Sequence, residues 1–186
     1  EDSHIIVVNK PEGMKTHGNK PTEIALLNHV SAYCRQTCYV VHRLDMETSG
    51  AVLFAKNPFI LPILNRLLED KMIQRQYWAL TEGKFQTKKT VYKDKIGRDR
   101  HDRRKRVVDP RKGQSAYTTV TRLKTFEGAS LVNCQLKTGR THQIRVHLSH
   151  HGHAILGDPL YSHQPASRLM LHAHSLSFTH PLTLEK

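Results

Sequence analysis

Apolar residues fall in short blocks along this chain, and the spacing inside each block predicts its element. Residues 4–8, 39–41 and 51–55 are compact runs rich in β-branched and aromatic side chains, which read as strands. Residues 117–124 and 129–137 alternate well enough to be paired strands, joined by a turn at Glu127-Gly128. Residues 71–80 lead into another strand, and 169–178 form one more. The period changes over 22–33, where Ile24, Leu27 and Val30 have helical spacing behind Thr22 as the expected cap. Asn57-Pro58 is a helix-start signature, and the helix to about Asp70 lines up Leu61, Leu64, Leu67 and Leu68 on one stripe. A third helix is expected from Thr141, as cap, to near Gly152. Strands outnumber helices and are often hairpin-spaced. The expected class is α+β, with a mixed, largely antiparallel central sheet flanked by helices, as one domain over 1–186.

Charge narrows the function more than composition does. Twenty-nine Lys plus Arg against sixteen Asp plus Glu give a net charge of +13, which favours a polyanionic partner. No basic amphipathic helix stands out and no apolar run approaches the roughly 20 residues of a membrane span, so nucleic acid leads over a membrane surface. Three cysteines, an odd number, argue for ordinary thiols in a reducing cytosol, and a cytoplasmic location is expected. The opening Glu1-Asp2-Ser3-His4 is no signal peptide and reads as the interior of a longer protein, so an N-terminal extension is expected. Residues 98–112 carry eight Lys or Arg against three Asp. That density suits a loop or hairpin gripping phosphates, with Arg103, Arg104 and Arg106 as candidates; a merely solvated loop is the rival reading.

Two stretches carry candidate chemistry. His42-Arg43-Leu44-Asp45-Met46-Glu47-Thr48-Ser49-Gly50 sits between two apolar runs, with turn chemistry at Thr48-Ser49-Gly50. In an extended chain Val41, Arg43 and Asp45 point the same way, which fits either a half-buried ion pair or a catalytic carboxylate with an arginine beside it. In 136–147 a strand ends at Thr138-Gly139-Arg140, and the helix that follows places Arg145 on its apolar face with Ile144 and Leu148. A guanidinium buried there needs a carboxylate or phosphate beside it. Lys10 and His17 flank a turn at Asn9-Lys10-Pro11-Glu12-Gly13, and Tyr77 lies on a strand, where a packing role is the simplest reading. Asp45 with Glu47 could also be a glycosidase pair, and His147, His150, His151, His153, His172 and His174 could suggest a metal site. Histidines clustered on a basic surface more often meet phosphate or solvent, so no metal is expected.

These stretches, in order, resemble the RluA-type pseudouridine synthases. The matching segments are Asn9-Lys10-Pro11-x-Gly13 with His17, His42-Arg43-Leu44-Asp45-x-x-Thr48-Ser49-Gly50, and Tyr77 within Arg75-Gln76-Tyr77-Trp78-Ala79. Thr138-Gly139-Arg140-x-His142-Gln143-Ile144-Arg145-Val146-His147, Gly157-Asp158-x-Leu160-Tyr161 and Leu171-His172-Ala173 with His180-Pro181 complete the set. The resemblance implies isomerisation of uridine to pseudouridine in RNA, without cofactor or metal. It makes Asp45 the essential carboxylate, Arg145 the basic residue that pairs with it, and Tyr77 the active-site tyrosine. Arg43 would fill the space left by a flipped-out uridine. His42, Lys10, His17, Arg140 and His142 join Arg103, Arg104 and Arg106 as expected RNA-binding residues. Ribosomal RNA is the expected substrate and transfer RNA the alternative, for a protein expected to act as a monomer.

Overall fold

The computed structural model describes residues 1–20 and 22–185. Among them the elements run β1 (Ile5–Lys10), α1 (Leu26–Cys34), β2 (Tyr39–Val40), β3 (Ser49–Ala55), α2 (Ile60–Glu69), β4 (Gln74–Glu82) and β5 (Lys89–Tyr92). They continue through β6 (Ile96–Arg98), β7 (Arg106–Val108), β8 (Thr118–Phe126), β9 (Ala129–Leu136), α3 (Gln143–His150) and β10 (Leu171–Ser177). The chain divides into two compact units, Glu1–Gln74 with Ala173–Lys186, and Arg75–His172.

In the first unit β3 lies between β1 and β10, with β2 also paired to it. The β1 register runs from Ile5 opposite Ala55 to Lys10 opposite Gly50, antiparallel throughout. Leu53 and Ala55 of β3 pack with Val41, Ile73 and the Ile60 and Leu64 positions of α2. Burying each such aliphatic side chain contributes roughly 1.5–3 kcal/mol, which is why the leucine stripe of α2 turns inward. The start of α2 follows the Asn57-Pro58 signature: Asn57 Oδ1 accepts from the Phe59 and Ile60 amides at 3.2 and 3.0 Å. Thr22 does not cap α1. The helix begins later, after Ala25, and the Asn28 side chain accepts the Ala25 amide at 2.9 Å in place of a threonine cap.

The second unit pairs its strands in the order β4-β9-β8-β5, so that β4 lies beside β9 rather than beside β5. Each of its neighbouring pairs is antiparallel. The β8–β9 hairpin turns at Glu127-Gly128, where Gly128 has φ +71°, a conformation that costs glycine nothing. β6 and β7 form a separate two-stranded ribbon whose Ile96 packs with Ala116 and with Val146 of α3. Helix α3 lacks the expected Thr141 cap. His142 precedes it in the left-handed region at φ +57°, and the buried Gln143 side chain ties the turn instead. Its Oε1 accepts from Thr138 Oγ1 and the Arg140 amide, while Nε2 donates to the Tyr117 carbonyl and Thr118 Oγ1. The helix runs to His150, with His151 as its C-terminal cap and Gly152 next at φ +79°, so it ends near Gly152 as expected.

The described chain is therefore α+β with a mostly antiparallel central sheet and three helices.

Candidate functional site

Within the first unit, the segment carrying Asp45 leaves β2 as an extended chain and turns back into β3. Its side chains alternate: His42 and Leu44 are buried, Arg43 is exposed and Asp45 is half-buried. The turn falls earlier than Thr48-Ser49-Gly50. It spans 45–48 and is closed by the Thr48 amide donating to the Asp45 carbonyl at 3.1 Å. Ser49 and Gly50 already belong to β3, because Gly50 must pass close to another backbone. A Cβ there would sit 2.3 Å from the Ala173 carbonyl oxygen, and its φ of +118° suits glycine alone.

Three buried polar side chains hold this segment in place. Thr16 Oγ1 accepts the Leu44 amide and donates to the Leu44 carbonyl, both at 3.1 Å, so one hydroxyl substitutes for a strand partner next to Asp45. His42 Nε2 accepts the Leu53 amide at 3.1 Å, which puts the ring proton on Nδ1. Lys10 is fully buried, and its ammonium donates to the carbonyls of Pro11, Met14 and Met46 at 2.8, 2.6 and 3.0 Å. The Gly13 amide adds a second bond to the Met46 carbonyl at 2.9 Å. Burial is the main influence on Lys10 and lowers its pKa from 10.5 to about 8, against the attraction of Asp45, Glu47 and Glu12.

Lys10 and His42 were expected to bind RNA; both are enclosed in the first unit and their hydrogen bonds serve the Asp45 segment. Arg43 is exposed and available to a ligand. His17 is half-buried, and its Nδ1 lacks a hydrogen-bond partner among the described residues.

The second unit holds the other candidates. Tyr77 is buried on β4, opposite Cys134 of β9. Arg145 is 1 % exposed on α3 and forms a two-point ion pair with Asp158, Nε to Oδ2 and Nη2 to Oδ1, each 2.8 Å. The demand of an inward-facing arginine for a carboxylate is thus met inside this unit by Asp158; the expected partnership with Asp45 concerns a residue of the other unit. Asp158 was missed as a site residue, although Gly157-Asp158 stood among the matching segments. Its Oδ1 also accepts the Leu160 and Tyr161 amides, which fixes the Tyr161 ring 5.3 Å from the guanidinium carbon. The Tyr161 hydroxyl in turn accepts the Arg106 amide and bonds His142 Nδ1, both at 2.8 Å.

The basic stretch is the β6–β7 ribbon with the loop that follows it. Arg104 is engaged with Asp102 by two hydrogen bonds of 3.0 and 2.8 Å, and Arg106 donates to the Arg103 and Lys105 carbonyls. Arg103 and Arg140 are exposed, Arg140 Nε resting on the Ser115 carbonyl at 3.1 Å. Among the described residues, His150 and His151 come together with an acid; His147 and His153 are engaged elsewhere. His147 is buried, bonded to Thr118 Oγ1 and to the Asp94 carbonyl, and burial lowers its pKa. His153 stacks on Phe85 and bonds the Glu82 carbonyl. Asp94, His150 and His151 do place ligand atoms within 4.8 Å of one another, with Asp94 and His151 hydrogen-bonded at 2.8 Å.

The family description RNA pseudouridylate synthase matches residues 4–150. This chain belongs to that family. The RluA-type resemblance read from the motifs is thereby supported, and the match covers Asp45, Tyr77 and Arg145. An uncharacterized RNA pseudouridine synthase of Bacillus subtilis, YhcT, is 44 % identical over 195 residues, covering 100 % of this chain and 64 % of that protein. Ribosomal large subunit pseudouridine synthase D of Neisseria meningitidis is 38 % identical, over 97 % of this chain and 54 % of its own length. The corresponding synthase C of Haemophilus ducreyi is 34 % identical, over 100 % and 62 %. The chain thus spans between about half and two thirds of these relatives. Among solved structures, human RNA Pseudouridylate Synthase Domain Containing 1 superposes with a TM-score of 0.82 at 27 % identity, over 95 % of this chain and 75 % of that one.

Proposed function

We propose that this chain isomerises uridine to pseudouridine in RNA, with Asp45 as the catalytic carboxylate. The observation that carries the reading is the Asp45 segment itself. A half-buried carboxylate lies beside an exposed arginine on a turn that Lys10, Thr16 and His42 hold to the surrounding backbone. Such a scaffold positions a reacting group, whereas a passive binding surface has no need of it. In the reaction the N1–C1′ bond breaks and a C5–C1′ bond forms. C5 then loses its proton and N1 gains one, so no electrons are exchanged with a second substrate. Asp45 acts ionised, either on C1′ directly or as the base of an elimination. Tyr77 and Arg145 carry the roles the family resemblance assigns, the tyrosine against the base and the arginine as the basic residue. Arg43 occupies the gap that the flipped uridine leaves in the RNA stack.

Large-subunit ribosomal RNA is the substrate class we favour, supported by relatives named for that subunit. The test is to incubate the protein with transcripts of large-subunit ribosomal RNA and of transfer RNA, then map pseudouridine at single-nucleotide resolution. Modification confined to discrete sites of the ribosomal transcript is expected. Modification of transfer RNA alone moves the assignment to that substrate, and modification of neither contradicts the proposed activity.

A further inference from the structure

The sequence marks the whole of 98–112 as basic, but the structure sorts its charges into two groups. In the loop between β6 and β7, Asp99 Oδ1 accepts the His101 and Asp102 amides, and Asp102 holds Arg104. The acids there are committed to turn geometry and to one arginine. The inner side of the ribbon differs. A cleft of about 300 Å³ is lined by Arg98 and Arg106 of the ribbon, Lys112 of the following turn, and Arg140 with Thr141 of the turn before α3. No carboxylate lines it. The nearby Asp109 uses Oδ1 to accept the Arg111 and Lys112 amides, and its carboxylate packs against Gly97 of the cleft wall and attracts Lys112, so it offsets part of the positive charge.

The cleft is built rather than incidental. Its floor is set by paired amide bonds between Ile96 and Gln114, each 2.9 Å, and by the Asp109 amide on the Lys95 carbonyl at 2.8 Å. Gly113 permits this approach: a Cβ there would lie 2.4 Å from the Asp109 carbonyl oxygen and 2.9 Å from the Ile96 nitrogen. Arg140 is anchored on Ser115, and Arg106 on the Arg103 and Lys105 carbonyls. Four cations gathered in one cleft repel one another, and an anion entering it relieves that repulsion. Guanidinium groups suit the paired oxygens of a phosphate, and three of them with an ammonium in one cleft suit more than one phosphate.

We propose that this cleft seats consecutive backbone phosphates of the RNA substrate, with Arg98, Arg106, Lys112 and Arg140 as the grip and the loop carrying Arg103 and Arg104 outside it. The inference rests on the RNA reading above and adds two residues, Arg98 and Lys112, to the expected contacts. Because the contacts are to phosphate, they orient the RNA without choosing its sequence.

The test uses the whole chain and a fluorescein-labelled RNA hairpin, titrated by anisotropy at four salt concentrations. Arg98 and Lys112 are exposed, so Arg98→Gln/Lys112→Gln removes charge without opening the core. Arg103→Gln/Arg104→Gln removes the same charge from the loop. The first pair is expected to flatten the slope of log affinity against log salt by about 1.5 units, two phosphate contacts at roughly 0.7–0.9 each. The loop pair should change it by less than half of that. An unchanged slope in the first pair, or equal flattening by both, overturns the cleft. Pseudouridine formation by the parent protein is measured alongside. An active parent whose slope ignores Arg98 and Lys112 discards the cleft and keeps the enzyme. A slope that obeys them in a parent making no pseudouridine keeps the cleft as an RNA site and discards the activity.

Discussion

The buried ammonium of Lys10 donates to the carbonyl of Met46, one residue beyond Asp45, at 3.0 Å and across 36 positions of sequence. Charged lysines are almost never fully buried unless every proton finds a partner, and here three carbonyls supply them. The same amine feels the charge of Asp45 and Glu47. Lys10 therefore connects the first turn of the chain to the proposed catalytic segment mechanically and electrostatically.

That connection predicts a particular pH dependence. The folded pKa of Lys10 is about 8 and the ordinary value is 10.5, so between these limits the unfolded chain binds more protons. Stability from this group must rise with pH across that window, by up to about 3 kcal/mol. Activity should move the other way, since deprotonation removes a cation beside Asp45 and one donor from the three carbonyls. Urea titrations at pH 7.5 and 9.5 should show the stability of the parent, measured relative to Lys10→Met, rising with pH while parent turnover declines. A parent that loses stability relative to Lys10→Met over that range contradicts the assignment of a depressed lysine.

Thr16 offers a cleaner structural probe. Thr16→Val keeps the shape but strands the Leu44 amide and carbonyl, which a buried site makes worth about 1–3 kcal/mol. Thr16→Ser restores the hydroxyl. The expected result is a lower urea midpoint and reduced turnover for the valine variant, with most of both recovered in the serine variant. Equal behaviour of the two would remove Thr16 from the account.

Asp158→Asn removes the charge that faces the buried Arg145. Breaking a buried pair from one side typically costs about 3–5 kcal/mol, so thermal unfolding should shift well below the parent. Arg145→Met/Asp158→Leu should cost less than the sum of the single changes, because each single change already loses the same Arg145–Asp158 interaction. Strict additivity in that cycle would show that the pair is not energetically linked.

How far the chain explained itself depended on the range of the forces involved. The leucine stripe of α2, its Asn57 cap and the β8–β9 hairpin were legible because neighbours a few residues apart decide them. The Thr22 and Thr141 caps failed for a local reason with a distant cause. Asn28 and Gln143 satisfy those helix starts, and Gln143 does so through Tyr117 and Thr118 on another element. The enclosure of Lys10 was invisible because lysine is ordinarily a surface residue and its three acceptors come from loops. Arg145 was correctly read as inward-facing, yet Asp158, its partner inside the second unit, lies 13 residues on in a tail that periodicity does not describe. Motif order made the Asp45 segment legible; the means of holding it required the structure.

The most direct test of the central claim replaces one oxygen. Asp45→Asn preserves volume while removing the charge that serves as nucleophile or base. Parent and variant are compared for release of tritium from C5-labelled uridine in RNA, with circular dichroism and an RNA titration on the same samples. The account predicts a folded variant that binds RNA and releases no tritium above background. A folded Asp45→Asn variant releasing tritium at the parent rate would contradict it.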